Sequence, residues 1–285
     1  MLRIWRRIGR LAASLLALAL AVIWVFPVYW MVNSSFLPNT KLSAATPAFL
    51  PFGGSLTNFK LVFTHGNFGA ALKMSLIITG ITVVFTLLFA FLAALAISRY
   101  KFKGRRSFVL AVLFIQMLPA EGLFLAQYTM IRDMGLMNTG LLNTVIGVSL
   151  IYIAAVVPFT VWMLRGFVAG IPADLEEAAM VDGLSRTKAF FRITFPLLAP
   201  GLVASGVYAF LQAWNEFTVA LVLLNQENKT LPLWLRSFVQ QSSQHEIDWG
   251  QVMAASTLVA VPVIIFFLFV QGRMTSGLVA GAVKG

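Results

Sequence analysis

Hydrophobic side chains fall along this chain in long runs separated by short polar segments. Runs at about 11–32, 70–98, 107–129, 139–164, 197–224 and 249–270 each read as a bilayer-crossing helix, because about 20 apolar residues span the hydrocarbon core. Residues 33–68, rich in Pro, Gly, Asn, Ser and Thr, read as an ordered but irregular outer loop. Pro27 is expected to kink the outer end of the first run, and Pro158 lies inside the fourth. The third starts near Ser107, and residues 120–137, which alternate apolar and polar groups, lie partly at the outer surface. Residues 225–248 are polar and return outside. One long polar island, 172–196, separates the fourth and fifth runs.

That island reads as two short helices with a break. Pro172 suits a first helical position, where its missing N–H costs nothing. Asp174, Glu176 and Glu177 then sit near the positive end of the helix dipole. Leu175, Ala178 and Ala179 share one face by their i, i+3, i+4 spacing, and its small residues permit close approach by a partner. Gly183 can take the positive φ that ends a helix. Ser185 can cap a second helix bearing Arg186, Lys188 and Arg192, which Pro196 stops. On these grounds alone, a helix lying on the membrane surface and a helix that docks a partner are both open.

Composition narrows the class. Of 285 residues, 59% are hydrophobic and 11% charged, far more apolar surface than a soluble domain of this length can bury. This is a polytopic membrane chain. Its formal net charge of +11 would point to nucleic acid in a soluble protein, but the cations gather at the ends of apolar runs, where topology and anionic lipid account for them. With no cysteine, disulfides and thiolate metal sites are excluded. The basic start (Arg3, Arg6, Arg7, Arg10) also fits a signal peptide, but the apolar run is long and no small-x-small site closes it, so an uncleaved first span is expected.

Charge also orients the spans. Lys/Arg residues cluster at the N-terminus, at Arg99–Lys101–Lys103–Arg105–Arg106, at 165–196 and in the tail from Gln271, whereas the remaining segments hold only Lys41, Lys60, Lys73, Arg132, Lys229 and Arg236. This asymmetry predicts an all-α membrane protein of six transmembrane helices with both termini and the 172–196 loop in the cytoplasm. No internal repeat is visible.

The island carries a spaced motif: Glu177-Ala178-Ala179, three residues, Gly183, nine residues, then Ile193-x-Phe195-Pro196. It resembles the EAA loop of ABC importer permeases, with Phe195 where the family pattern usually has Leu. The resemblance covers nearly the whole chain, including Asp182 beside Gly183, Trp214-Asn215-Glu216 and the C-terminal Gly-Ala-Val-Lys-Gly. It is similar above all to the six-helix inner-membrane subunits of maltose-type carbohydrate importers. The resemblance implies a bacterial or archaeal plasma membrane location and a single permease domain over 1–285. It implies a loop that docks into a cleft on cytoplasmic ATP-binding subunits through Glu177, Ala178, Ala179, Asp182, Gly183, Ile193 and Pro196. Other implied partners are a second, homologous permease subunit, an extracytoplasmic solute-binding protein facing 225–248, and membrane lipid. ATP and Mg would be bound by the partner ATPase, with no cofactor in this chain. The tail from Gly277 is either an unstructured terminus or a segment reaching between the ATPase subunits.

The search for chemistry supports a non-enzyme. There is no GxxxxGK[ST] loop, HExxH or GxSxG. The only histidines, His65 and His245, fall in expected outer loops, and His245 beside Glu246 and Asp248 reads as a solvated face. Glu121 and Glu216 lie in or near apolar spans, where an ionisable group marks a pathway or a buried pair. Trp214, Asn215, Glu216 and Phe217 offer rings and hydroxyl-binding groups suited to a sugar pathway, roughly 25–30 Å from the cytoplasmic side. The plainer reading makes Trp214 an interface anchor and pairs Glu216 with a neighbouring helix or with another subunit. Gln116 and Glu121 are candidates of the same kind. Gly201, Ala204, Ser205 and Ala209 predict close helix packing. Two rival functions are an ion-gradient transporter titrating Glu121 and Glu216 and a membrane scaffold without transport; neither accounts for the EAA spacing.

Overall fold

Why the apolar runs become helices is set by the bilayer: with no water to satisfy backbone N–H and C=O groups, a single segment must bond to itself. The computed structural model describes residues 2–65, 67–119, 122–137, 140–225, 227–242 and 247–282, and these contain helices and no strand. In order they are α1 (Leu2–Ser35), α2 (Asn39–Leu42), α3 (Thr57–His65), α4 (Phe68–Arg99), α5 (Arg105–Gln116), α6 (Phe124–Asp133) and α7 (Leu141–Ala169). Then come α8 (Asp174–Val181), α9 (Arg186–Ala189), a π-helical turn (Phe190–Thr194), α10 (Phe195–Asn215), α11 (Thr218–Leu223), α12 (Leu231–Ser242) and α13 (Trp249–Ala282).

Among the described residues, five stretches are long and apolar enough to cross a membrane: Gly9–Ser35, Phe68–Arg99, Leu141–Ala169, Arg186–Asn215 and Trp249–Arg273. The expected third span over 107–129 is instead two short helices, α5 and α6. At 12 residues α5 is about 18 Å long, well short of a roughly 30 Å hydrocarbon core. Pro119 explains its end, since the preceding residue is driven out of the helical region and proline itself donates no N–H. Two further expectations shift. The fourth run, expected to end at 164, continues in α7 to Ala169, so that Arg165 lies within the helix, its guanidinium over Trp162 at 5.2 Å. The helix of the sixth span runs past its expected end at 270, because α13 stays helical to Ala282.

The chain divides into two compact units. The first joins residues 1–68 to 235–261, and its polar loop is ordered by side-chain amides. Buried Asn58 donates to Ser35 O at 3.0 Å and Leu37 O at 2.9 Å, and Asn33 donates to Ala48 O at 2.8 Å. Asp248 caps the start of α13 by accepting the Gln251 N–H at 3.2 Å and its side-chain amide at 3.0 Å. His245 and Glu246 lie outside the described residues, as does Glu121.

The second unit comprises residues 69–234 and 262–285. One apolar cluster gathers Met74 and Ile78 of α4, Ile131 of α6, Ile151 and Tyr152 of α7, and Ala213 of α10. Another gathers Ala94 and Ile97 of α4, Val161 and Leu164 of α7, and Leu198 of α10. The small residues of α10 bring it close to α7, as expected: Gly201 lies against Phe167, and Ser205 Oγ meets Met163 Sδ at 3.3 Å.

Candidate functional site

The 172–196 loop folds as two helices with a break, one residue pattern at a time. α8 begins at Asp174, with Ala173 at the N-cap, so Pro172 precedes the helix where a first helical position was expected. Asp174, Glu176 and Glu177 occupy its first turn, where the dipole favours them. Gly183 has φ +90°, and the Gly183 N–H bonds Met180 O while the Leu184 N–H bonds Ala179 O, both at 3.0 Å. This is a Schellman closure, in which a left-handed residue satisfies the last carbonyls. Ser185 sits at the N-cap of α9 in extended conformation, although its side chain makes no capping bond.

Pro196 does not stop the second helix. α9 passes through the π-helical turn Phe190–Thr194 straight into α10, with Pro196 in its first turn. The widened turn explains the tolerance: proline removes one N–H and crowds the preceding turn, and an i→i+5 stretch before it gives the ring room. Ile193, half-buried, lies in that turn, and Pro196 is exposed.

The shared face expected for Leu175, Ala178 and Ala179 is divided. Ala179 is buried, whereas Leu175, Ala178 and Val181 point outward, with Val181 88% exposed. Together with exposed Glu177 and Asp182 they form a small apolar strip with an acidic margin. Beside it opens a cleft of about 530 Å³ lined by Arg99, Tyr100, Glu176, Glu177, Met180, Arg186 and Phe190. Arg186 covers the Tyr100 ring at 5.8 Å.

Two acids that are adjacent in sequence have separate fates. Glu177 is exposed. Glu176 is turned inward, accepting the Thr194 hydroxyl at 2.5 Å and pairing with Arg99 Nη2 at 3.6 Å. The basic cluster also separates: Lys101, Lys103 and Arg106 are exposed, but Arg99 is half-buried and turned toward Glu176 of α8. Sequence reasoning treated Arg99 as one charge among five and gave Glu176 no role of its own. A pair of consecutive acids, which must face different ways on a helix, was the available signal.

A second cluster lies where the expected fifth span breaks. α10 ends at Asn215, and α11 starts afresh at Thr218. Glu216 accepts the N–H groups of Val219 at 2.7 Å and Ala220 at 3.0 Å, and the Tyr152 hydroxyl at 2.5 Å. A cavity of about 350 Å³ opens beside it, lined by Phe124, Gln127, Tyr152, Gln212, Asn215, Glu216 and Phe217 among others. Gln127 brings a buried carbonyl oxygen with no hydrogen-bond partner. Of the candidates read from sequence, Asn215, Glu216 and Phe217 therefore share one cavity. Trp214 does not line it; its indole is 2% exposed and stacks on Phe210 at 5.4 Å. Gln116 is exposed at the end of α5 and lies outside the cavity. Tyr152, Gln127 and Gln212 went unread, because single polar residues in apolar helices carry no spacing signal. Among the described residues no His, Asp or Glu group is arranged to hold a metal ion.

Residues 86–278 match the model of the binding-protein-dependent transport system inner membrane component family. This chain belongs to that family. It is 41% identical over 97% of its length to 98% of the diacetylchitobiose uptake system permease protein DasC of Streptomyces coelicolor. It is 35% identical to the trehalose/maltose transport system permease protein MalG of Thermococcus litoralis, over 94% of this chain and 95% of that protein. Among solved structures, a bacterial ABC transporter involved in import of the acidic polysaccharide alginate superposes with TM-score 0.74 over 94% of this chain and 96% of that one, at 24% identity, which shows a common fold. The family assignment makes the chain a multi-pass inner membrane component and a transport subunit, not an enzyme. The motif at Glu177–Gly183 lies within the matched segment.

Proposed function

We propose that this chain is the permease subunit of an ATP-driven importer of an oligosaccharide or related sugar, and that α8 couples it to a cytoplasmic ATPase. The observation that carries the reading is α8 itself: a Schellman-closed helix with an outward strip of Leu175, Ala178 and Val181 and acids at Glu177 and Asp182, inside a family-matched segment. Glu177 offers a charge to a basic group on the ATPase, Ala178 allows contact, and Ala179 lets α8 lie close on its own chain. Asp182 and Gly183 set the turn, and Ile193 and Pro196 lead the helix into α10. ATP and Mg belong to that partner chain. Its closure drives α8, and α8 carries the motion to the spans, giving alternating access.

In this reading α5 and α6 together complete a third crossing, so that the chain crosses six times with both termini and α8 in the cytoplasm. The uneven distribution of Lys and Arg supports this orientation. A second, homologous permease subunit completes the pathway, and an extracytoplasmic solute-binding protein delivers the solute. A relative by fold is known in complex with an alginate pentasaccharide-bound periplasmic protein. The sugar assignment rests on relatives named for diacetylchitobiose and for trehalose and maltose. The cavity of Gln127, Gln212, Asn215 and Phe217 supplies amides for hydroxyls and a ring for the apolar face of a sugar.

The test is reconstitution of the purified complex in liposomes with its binding protein and a panel of sugars. ATP-dependent uptake of an oligosaccharide that persists when ion gradients are collapsed is expected. Uptake that follows a proton or sodium gradient and needs no ATPase chain would establish the rival transporter reading.

A further inference from the structure

α8 has eight residues and is tied at one end to α7 by 170–173 and at the other to α9 by the Gly183 turn. A short helix held only at its ends pivots when pushed. An attachment along its length, to the body of the helical bundle, lets a push on α8 reach the long helices without being lost in that pivot. The structure holds one such attachment that no part of the motif reading assigns.

Glu176 Oε1 accepts the Thr194 hydroxyl at 2.5 Å and lies 3.6 Å from Arg99 Nη2. Arg99 is the last residue of α4, and Thr194 closes the π-helical turn that opens α10. One carboxylate therefore joins the loop helix to two long helices that are far apart in sequence. The ionised side chains are 18% and 17% exposed, and Thr194 is fully buried, so the attraction is little screened by water or salt. The Arg99 Nε and Nη2 atoms are buried without a hydrogen-bond partner. At 3.6 Å the ion pair is not yet a hydrogen bond, and a slight approach of α8 toward α4 would make it one.

We propose that Glu176 is the positioning residue that fastens the coupling helix to the bundle, passing displacement to α4 through Arg99 and to α10 through Thr194. Glu177 makes the external contact; Glu176 makes the internal one. This rests on the reading of the chain as an ATPase-driven permease.

A residue that only supports folding would behave differently from one that transmits motion, and paired substitution separates them. Removing one member of a buried ion pair strands the other charge, whereas replacing both by apolar groups relieves that cost. The assay is the complete transporter in liposomes, scored for ATPase subunit retained and for solute imported per ATP hydrolysed. Glu176→Ala and the double variant Arg99→Met/Glu176→Met are expected to retain the ATPase subunit yet import about tenfold less per ATP, within the range by which coupling-network mutations act. If Glu176→Ala does not accumulate in the membrane, Thr194→Val reads the same node from α10, with about threefold loss expected, and Thr194→Ser, which keeps the hydroxyl, restores import. Import by the double Met variant within about twofold of wild type would reduce Glu176 to a folding role and overturn the inference. So would loss of the ATPase subunit on Glu176→Ala when Glu177→Ala retains it, since that places Glu176 in the external contact. A wild-type chain that captures no ATPase at all overturns the functional reading first, and this inference with it.

Discussion

Tyr152 donates its hydroxyl to Glu216 Oε2 at 2.5 Å, tying the middle of α7 to the break between α10 and α11. Glu216 meanwhile takes the two N–H groups that the break frees, at Val219 and Ala220. Its carboxylate thus stands in for the helical carbonyls of an uninterrupted span. Glu216→Ala leaves two backbone donors and a phenol without an acceptor, at about 1–3 kcal/mol for each group that stays buried, whereas Tyr152→Phe removes one bond at about 1 kcal/mol. Thermal unfolding of the detergent-purified complex should rank Glu216→Ala below Tyr152→Phe, with Glu216→Gln between them because an amide keeps one acceptor. Equal midpoints for Glu216→Ala and wild type would remove the capping role.

Gly183 closes α8 at φ +90°, and a Cβ built there meets nothing within 4 Å. The penalty for a side chain is therefore one of backbone conformation, about 1–2 kcal/mol, and not of collision. Gly183→Asp is expected to insert into the membrane normally while uncoupling transport from hydrolysis, and Gly183→Asn, which tolerates the left-handed region, to be milder than Gly183→Val. Uptake and ATP turnover measured on the same liposomes check this. Normal uptake by Gly183→Asp would count against α8 as the coupling element.

At Gly201 the obstacle is steric. A Cβ there would lie 2.5 Å from Phe167 Cγ and 2.8 Å from its Cβ, atoms near the backbone that rotation of the ring cannot clear. Gly201→Ala should overpack the α7–α10 contact and destabilise the protein by about 1–3 kcal/mol. Phe167→Ala in the same chain should recover most of that loss in a thermal-shift measurement. An additive double variant would mean that the two residues do not meet.

Gly250 plays the matching part in the unit of residues 1–68 and 235–261. Its Cβ would approach Asn58 Nδ2 and Leu37 O, each at 2.6 Å, where Asn58 donates to Ser35 O and Leu37 O. Gly250→Ala and Asn58→Ala are each expected to loosen the Ser35–Leu37 segment, at about 1–3 kcal/mol for the unsatisfied carbonyls. Limited proteolysis after residue 36 should accelerate in both variants; unchanged protection would show that other contacts hold the segment.

Much of this architecture was legible in one dimension. Apolar runs of bilayer length appear at α1, α4, α7, α10 and α13, and a glycine with its flanking pattern marks the turn at Gly183. The third run is not one helix, because composition counts apolar residues through Pro119 without registering that the proline ends α5 ahead of it, at Gln116. The fifth misled for a related reason: the residues up to Leu224 are apolar enough to read as one helix, while Glu216 can replace a backbone acceptor and let the helix restart. Pro196 misled in the opposite sense, since a π-helical turn admits a proline that an ordinary helix refuses.

What the sequence determined by itself was the solvent each segment prefers, the spacing of the EAA motif and the family these imply, because hydropathy, charge and local backbone preference act over a few neighbouring residues. Which of two adjacent glutamates faces inward, which of five neighbouring cations meets it, and which polar side chains share a cavity were decided only in three dimensions. Arg99, Glu176 and Thr194 come from different helices, as do Tyr152 and Glu216, and no local rule relates them. Their partnership follows from packing α4, α7 and α10 together, where the cost of burying a polar group unpaired selects its neighbour.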